Sequence, residues 1–346
     1  MSRLIPLALL DTPVDRLGRP LHDLRISVVD RCNYRCPYCM PEDDYPRDHQ
    51  FLGKAERLRF EEIERIARAA ATLGVRKLRL TGGEPLLRRD LPQLVRMLAA
   101  IPGIDDIAMT TNGSLLPAQV GALREAGLHR ITLSLDTLDA DTYRTLSGGR
   151  GEASQALAAI AAAEAAGYDR LKLNCVVMRG VNDHQVVDLA RHFRGSRHVL
   201  RFIEYMDVGT CNGWDTARVA PSAELRERIA AQWPLLPVDA NYRGEVAERY
   251  RYGDGAGEIG FISSVSQPFC GDCSRVRLSA DGRLYTCLFG REGHDLRGTL
   301  RAGIDDDGLR ALMAAIWRSR GDRYSEVRGA QPMPARERVE MYEIGG

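Results

Sequence analysis

The sequence predicts an α/β protein built on an incomplete (β/α)6, TIM-like barrel, followed by a smaller C-terminal α+β module. Three observations support this class. Strand-like and helix-like segments alternate six times before residue 206, which implies parallel strands joined by right-handed crossovers. Several of those strands carry one aliphatic face and one strongly polar face, whereas a parallel sheet covered by helices on both sides reads as continuous aliphatic runs. After Met206 the alternation gives way to short β-like stretches and a hairpin.

Leu24 to Val29 alternates as a strand and leads into a cysteine-rich loop. Phe60 to Leu73 places Ile63, Ile66 and Ala70 on one helical face, with Gly74 past its end. Lys77 to Thr81 is the second strand, and Asp90 is placed to cap a helix that stops near Pro102-Gly103. Ile107 to Thr111, Arg130 to Ser134, Arg170 to Met178 and His198 to Met206 complete six strands. Helices over 116–127, 152–167 and 182–193 separate them. Arg25, Ser27, Lys77, Arg79, Thr81, Thr132, Ser134, Lys172 and Asn174 stand opposite aliphatic neighbours, so one sheet face packs on helices and the other lines a polar cavity suited to anionic material. A filled eight-stranded barrel would instead pack its lumen with Val, Ile and Leu. Arg201 and Met206 have opposite parity and share a face only if the last strand bends.

Beyond residue 207 a helix is expected over 221–233, β-like segments over 245–252 and 258–263, a hairpin turning at Asp281-Gly282, and a helix over 305–318. The expected division is an N-terminal extension (1–16), a partial barrel (17–206) and a C-terminal module (207–346). A chain of 346 residues can bury such a core. The net charge of +1 argues against a surface that coats nucleic acid, and no apolar run reaches the ~20 residues of a membrane span. Leu4 to Leu10 is apolar but broken by Pro6, too short for a signal peptide. Eight cysteines without a secretion signal point to a reducing compartment, read as the cytoplasm.

Cys32, Cys36 and Cys39 form a C-x3-C-x2-C run at the end of the first strand. Three thiols on a short loop suit three corners of an iron–sulfur cube and leave one iron open for a small molecule. Zinc would want a fourth ligand, and three cysteines cannot close disulfides evenly. Thr81-Gly-Gly-Glu-Pro85 ends the neighbouring strand, with glycines that permit close backbone approach and a glutamate able to accept from an ammonium group. A second trio, Cys270, Cys273 and Cys287, lies in the C-terminal module, where His294 competes as the fourth ligand of a zinc site. Arg275 and Arg277 would project from one strand face and could hold a phosphate, although such a pair is more often simply solvated. Cys175 reads as a buried thiol and Cys211 as an incidental one.

The first trio with Tyr38 before its last cysteine, together with Gly-Gly-Glu-Pro, resembles the radical S-adenosylmethionine superfamily. The runs Leu24 to Pro41, Thr110-Thr-Asn-Gly113 and Arg201 to Gly209, the second trio with its arginines, and the Gly345-Gly346 terminus resemble the GTP 3′,8-cyclases of molybdenum-cofactor biosynthesis. The resemblance runs from about Leu17 to the last residue. It implies a [4Fe-4S] cluster on Cys32, Cys36 and Cys39 that chelates S-adenosylmethionine, with Tyr38, Gly83, Ser134 and Met206 against that cofactor. It implies a second [4Fe-4S] cluster on Cys270, Cys273 and Cys287 whose open iron meets the guanine of GTP. Arg25, Arg79, Thr110, Lys172, Arg275 and Arg277 would then contact GTP, with Lys77 and Arg201 as weaker candidates. The chemistry implied is hydrogen abstraction from ribose C3′ and attack on guanine C8, a lyase reaction, with the Gly345-Gly346 tail reaching the active site. The partners implied are GTP, a reducing electron donor and a downstream cyclic pyranopterin monophosphate synthase, without membrane or nucleic acid; a homodimer is left open. Two rivals stand beside this reading: another two-cluster radical enzyme such as a peptide maturase, and a non-catalytic binding module stapled by zinc.

Overall fold

The computed structural model describes residues 12–328 and 338–345. Twelve strands form one sheet: β1 (Asp23–Ser27), β2 (Lys77–Thr81), β3 (Asp106–Thr111), β4 (Arg130–Ser134), β5 (Lys172–Val177), β6 (Val199–Glu204), β7 (Leu235–Val238), β8 (Glu248–Tyr252), β9 (Glu258–Ile262), β10 (Arg275–Leu278), β11 (Arg283–Tyr285) and β12 (His294–Asp295). Their spatial order is β12-β11-β10-β1-β2-β3-β4-β5-β6-β9-β8-β7. The six expected strands sit side by side in parallel, as the five crossovers between them require. The chain after residue 207 extends that same sheet at both edges, since β10 pairs parallel with β1 and β9 parallel with β6. Beyond them the pairing turns antiparallel, closing with the β10–β11–β12 and β9–β8–β7 meanders.

Alternation along the strands decides which face is which. In β1 and β2, Leu24, Ile26, Leu78 and Leu80 are fully buried against the helical layer, each contributing roughly 1.5–3 kcal/mol of apolar burial. One core cluster runs from these residues through Ile66 and Leu94 to Val276, Leu309 and Trp317, so the later segments share the apolar core of the barrel. The Phe60–Thr72 helix packs on the Asp306–Ser319 helix across that join.

Local departures from the sequence reading have identifiable causes. The third helix starts only at Val120; the stretch 112–119 is a loop held by Asn112 on Asn33 and by Gln119 on the Leu86 carbonyl oxygen (3.1 Å), and Asp183–Gln185 forms a 3-10 turn ahead of Val186–Phe193. Asp90 does occupy the N-cap position, but at φ 59° and without a side-chain capping bond. β6 ends at Glu204, so alternation does not carry to Met206; the chain turns there, and Arg201 and Met206 line one cavity despite their parity. Buried Glu204 fixes that turn by accepting from the main-chain N–H groups of Ser222 (2.7 Å), Val265 (2.8 Å) and Ser266 (2.8 Å). A helix over Ala140–Leu146 and the strand β7 were not expected from the sequence.

Candidate active site

The first cysteine loop leaves β1 and is shaped by main-chain satisfaction from one buried cation. Arg35 donates through Nε to the carbonyl of Tyr45 (2.7 Å) and through Nη1 to those of Cys32 (2.8 Å) and Tyr34 (2.9 Å). Asn112, in the loop after β3, donates to Asn33 Oδ1 (2.9 Å), and Asn33 donates to Ser114 Oγ (2.8 Å), which ties the loop to a neighbouring strand end. The two glycines of the Gly-Gly-Glu-Pro turn are required by this same loop. A Cβ on Gly82 would lie 2.2 Å from the Val29 carbonyl oxygen, and one on Gly83 would lie 2.1 Å from that of Arg31. The close approach they permit is therefore to the cysteine loop's backbone. Glu84 is likewise spent on the protein: it accepts from Thr111 Oγ1 (2.7 Å), Leu86 N (3.1 Å) and Asn112 N (2.8 Å). Burial pushes its carboxyl up to about 7 even so.

Cys32, Cys36 and Cys39 open on a cavity with Tyr38, Gly83, Ser134 and Met206, so all four expected cofactor contacts come together with the first trio. Three free thiols facing one cavity fit a four-iron cluster with an open corner. Burial raises all three thiols, Cys32 to about 12. Metal ligation must overcome that rise, because the ligand is the thiolate. Tyr38 donates to Asp136 Oδ2 at 2.6 Å, and Asp136 Oδ1 accepts from Val176 N at 2.8 Å. Burial lifts Asp136 to about 6. The sequence reading missed Asp136, although it follows two residues after Ser134 in the period-two series Thr132, Ser134, just past the end of β4.

A second cavity, about 1360 Å³ counting its open mouth, adjoins the first and shares Thr110, Asn174, Ile203 and Met206 with it. Arg25, Arg79, Thr110, Lys172, Arg275 and Arg277 all line it, as do Lys77 and Arg201. Parallel register explains the convergence. Arg277, Arg25 and Arg79 are direct partners across β10, β1 and β2, and Arg275, Asp23 and Lys77 form the adjacent row. Like charges one strand apart repel. Burial and then the neighbouring arginines hold Arg25 well below its ordinary value, and Arg25 has no hydrogen-bond partner among the described residues. Burial, with Arg201 next, pushes Lys172 down to about 7, and Lys77 falls to about 8. The other cations are held in place: Arg79 donates to Thr110 Oγ1 (2.9 Å), Arg201 to Asn174 Oδ1 (2.6 Å), and Lys77 to the hydroxyl of Tyr242 (2.7 Å). Tyr242 was also missed, since no periodicity marks a loop tyrosine.

Cys270, Cys273 and Cys287 line this second cavity from the strand end opposite the first trio, since Cys270 and Cys273 precede β10, which runs parallel beside β1, and Cys287 follows antiparallel β11. His294 does not join them; it lies exposed on the edge strand β12. Three thiols opening on a cationic cavity again suit a cluster with a free corner. Burial would raise Cys273, but Arg275 and Arg320 bring it down to about 6. Of the tail, Ile344 and Gly345 turn into the barrel, where Arg277 donates to both carbonyl oxygens; Gly346 lies outside the described residues. Cys175 is buried as expected, and Cys211 is less isolated than expected, donating to Glu340 Oε2 at 3.0 Å.

Residues 26–193 match the Radical SAM superfamily model and residues 198–326 the Molybdenum Cofactor Synthesis C model. The chain is 59% identical over 332 residues to the GTP 3′,8-cyclase of Xanthomonas campestris pv. campestris strain B100, covering 96% of this chain and 97% of that one. It is 51% identical over 356 residues to the GTP 3′,8-cyclase of Acidothermus cellulolyticus, covering 96% and 98%. Among solved structures, Streptococcus suis SuiB bound to S-adenosylmethionine superposes with a TM-score of 0.60 at 16% identity, covering 84% of this chain and 67% of that one, a likeness of fold.

Proposed function

Because the chain belongs to the GTP 3′,8-cyclase family, we propose that it is a radical S-adenosylmethionine lyase that converts GTP to 3′,8-cyclo-7,8-dihydroguanosine 5′-triphosphate, the first step of molybdopterin cofactor biosynthesis. The observation that carries this reading is the pair of cysteine trios opening on adjoining cavities, the second of them lined by two in-register rows rich in cations. Cys32, Cys36 and Cys39 would hold one [4Fe-4S] cluster and Cys270, Cys273 and Cys287 the other. When bound, the first cluster and S-adenosylmethionine would supply removal of hydrogen from ribose C3′, after which that carbon bonds to guanine C8.

The protein's own work is binding, orientation and exclusion of water. Tyr38, Gly83, Ser134 and Met206 would border S-adenosylmethionine, with Tyr38 fixed by Asp136. Arg25, Arg79, Lys172, Arg275 and Arg277 would neutralise a triphosphate, and the mutual repulsion of the arginine row would be relieved by that ligand. Thr110 borders both cavities, where the two ligands would meet. The division at residue 207, a reducing donor, delivery of product to a downstream cyclic pyranopterin monophosphate synthase, and a cytoplasmic setting belong to the same proposal. No helix among the described residues is long and apolar enough to cross a membrane.

The test is anaerobic reconstitution followed by metal analysis and incubation with GTP, S-adenosylmethionine and dithionite. About eight irons per chain, 5′-deoxyadenosine and a cyclised nucleotide are expected. Zinc in place of iron, or 5′-deoxyadenosine without a cyclised nucleotide, would overturn the reading.

A further inference from the structure

We propose that Arg320 is a positioning residue for the second cluster, holding its Cys273 corner and raising its reduction potential. The proposal rests on the reading of Cys270, Cys273 and Cys287 as cluster ligands. The Arg320 side chain is 1% exposed; both terminal nitrogens of its planar fork donate hydrogen bonds, while Nε makes none and lies 3.5 Å from Asp322 Oδ2. Nη2 donates to Cys273 Sγ (3.2 Å), while Nη1 donates to the Cys273 carbonyl oxygen (2.6 Å) and to Asp15 Oδ2 (3.3 Å). The guanidinium lies 4.6 Å from the ring centroid of Trp317, whose indole N–H donates to the Arg19 carbonyl oxygen at 3.0 Å.

The anchor for this fork comes from the other end of the chain. Asp15 Oδ2 is 2.5 Å from Arg19 Nε with both side chains fully buried, and Arg19 Nη1 donates to the Cys270 carbonyl oxygen at 2.6 Å. Residues just ahead of β1 therefore brace two of the three cysteines through Asp15, Arg19 and Arg320. Arg275 also reaches Cys273 Sγ, at 3.3 Å, but it belongs to the cation row facing the cavity. Donors on a cluster sulfur withdraw charge and favour the reduced, more negative state. A lysine could reach the sulfur but could not hold sulfur, carbonyl and carboxylate in one plane.

The experiment is a redox titration followed by electron paramagnetic resonance on anaerobically reconstituted wild type, Arg320→Lys and Arg320→Met. The expected result is a lower potential for one cluster only in Arg320→Met, an intermediate shift in Arg320→Lys, and iron content held at about eight per chain. Two unchanged potentials in Arg320→Met at full iron content would overturn the proposal. Should Arg320→Met retain only about four irons, Arg320→Lys decides it: a shifted potential supports the role and an unshifted one removes it. A wild-type count of about four would instead remove the second cluster itself, a separate failure.

Discussion

Arg277 donates from Nη1 to the carbonyl oxygen of Gly345, so one of the arginines assigned to phosphate also holds the chain's own tail inside the barrel. The same nitrogen reaches the carbonyl of Ile344 at 3.2 Å, and Ile344 is fully buried. Gly345 has φ 66°, and a Cβ there would lie 2.0 Å from Thr81 Cγ2, so no other residue fits without strain. Removing residues 345–346 is expected to leave iron content and fold intact and to lower turnover by about tenfold or more through lost positioning. An unchanged kcat would place the tail outside the reaction.

Arg277→Ala removes a cation from the middle of the site. GTP binding should weaken by roughly 1.5–3 kcal/mol, the worth of a hydrogen bond to a charged group, which is about tenfold or more in Kd. Direct titration of GTP reads this, and equal affinity would exclude Arg277 from the phosphate contacts.

Proton uptake should accompany nucleotide binding. Lys172 at about 7 and Lys77 at about 8 are partly neutral in the free protein, because burial disfavours the ammonium form. A bound triphosphate restores their charge, so affinity should fall as pH rises from about 7 to about 9. The same depressed values make the ligand-free fold bind fewer protons than the unfolded chain, and its stability therefore rises with pH across that window. Calorimetry at about pH 8 in two buffers of different ionisation heat measures the uptake, and Lys172→Met should reduce it. Zero uptake in the wild type would remove both lysines from phosphate binding.

Glu84 makes the opposite contribution to stability. Its folded value is raised from 4.5 to about 7 by burial, so the folded state binds the extra proton. Its favourable contribution is present below about 4.5 and is lost as pH rises through about 7. Glu84→Gln, neutral at every pH, should flatten the denaturation midpoint across that range. Glu84→Ala should cost about 1–3 kcal/mol, because the donors from Leu86, Thr111 and Asn112 lose their acceptor. An equal pH slope in wild type and Glu84→Gln would refute the assignment.

By itself the sequence determined the six parallel strands, the polar lumen face and the spacing of the two cysteine trios. Those features are local: alternation at period two sorts Leu24 from Arg25, and a loop of eight residues sets the spacing from Cys32 to Cys39. Tertiary structure alone decided what happens between distant segments. It set β10 beside β1, so that Arg277, Arg25 and Arg79 fall in one row, and it turned the chain after Glu204, which put Met206 on the side of Arg201. It also spent Glu84 on loop amides and braced Cys273 with Arg320 and Asp15. Pairing register and buried charge networks join residues as far apart as Asp15 and Arg320, and no short-range periodicity encodes which donor meets which acceptor across that separation.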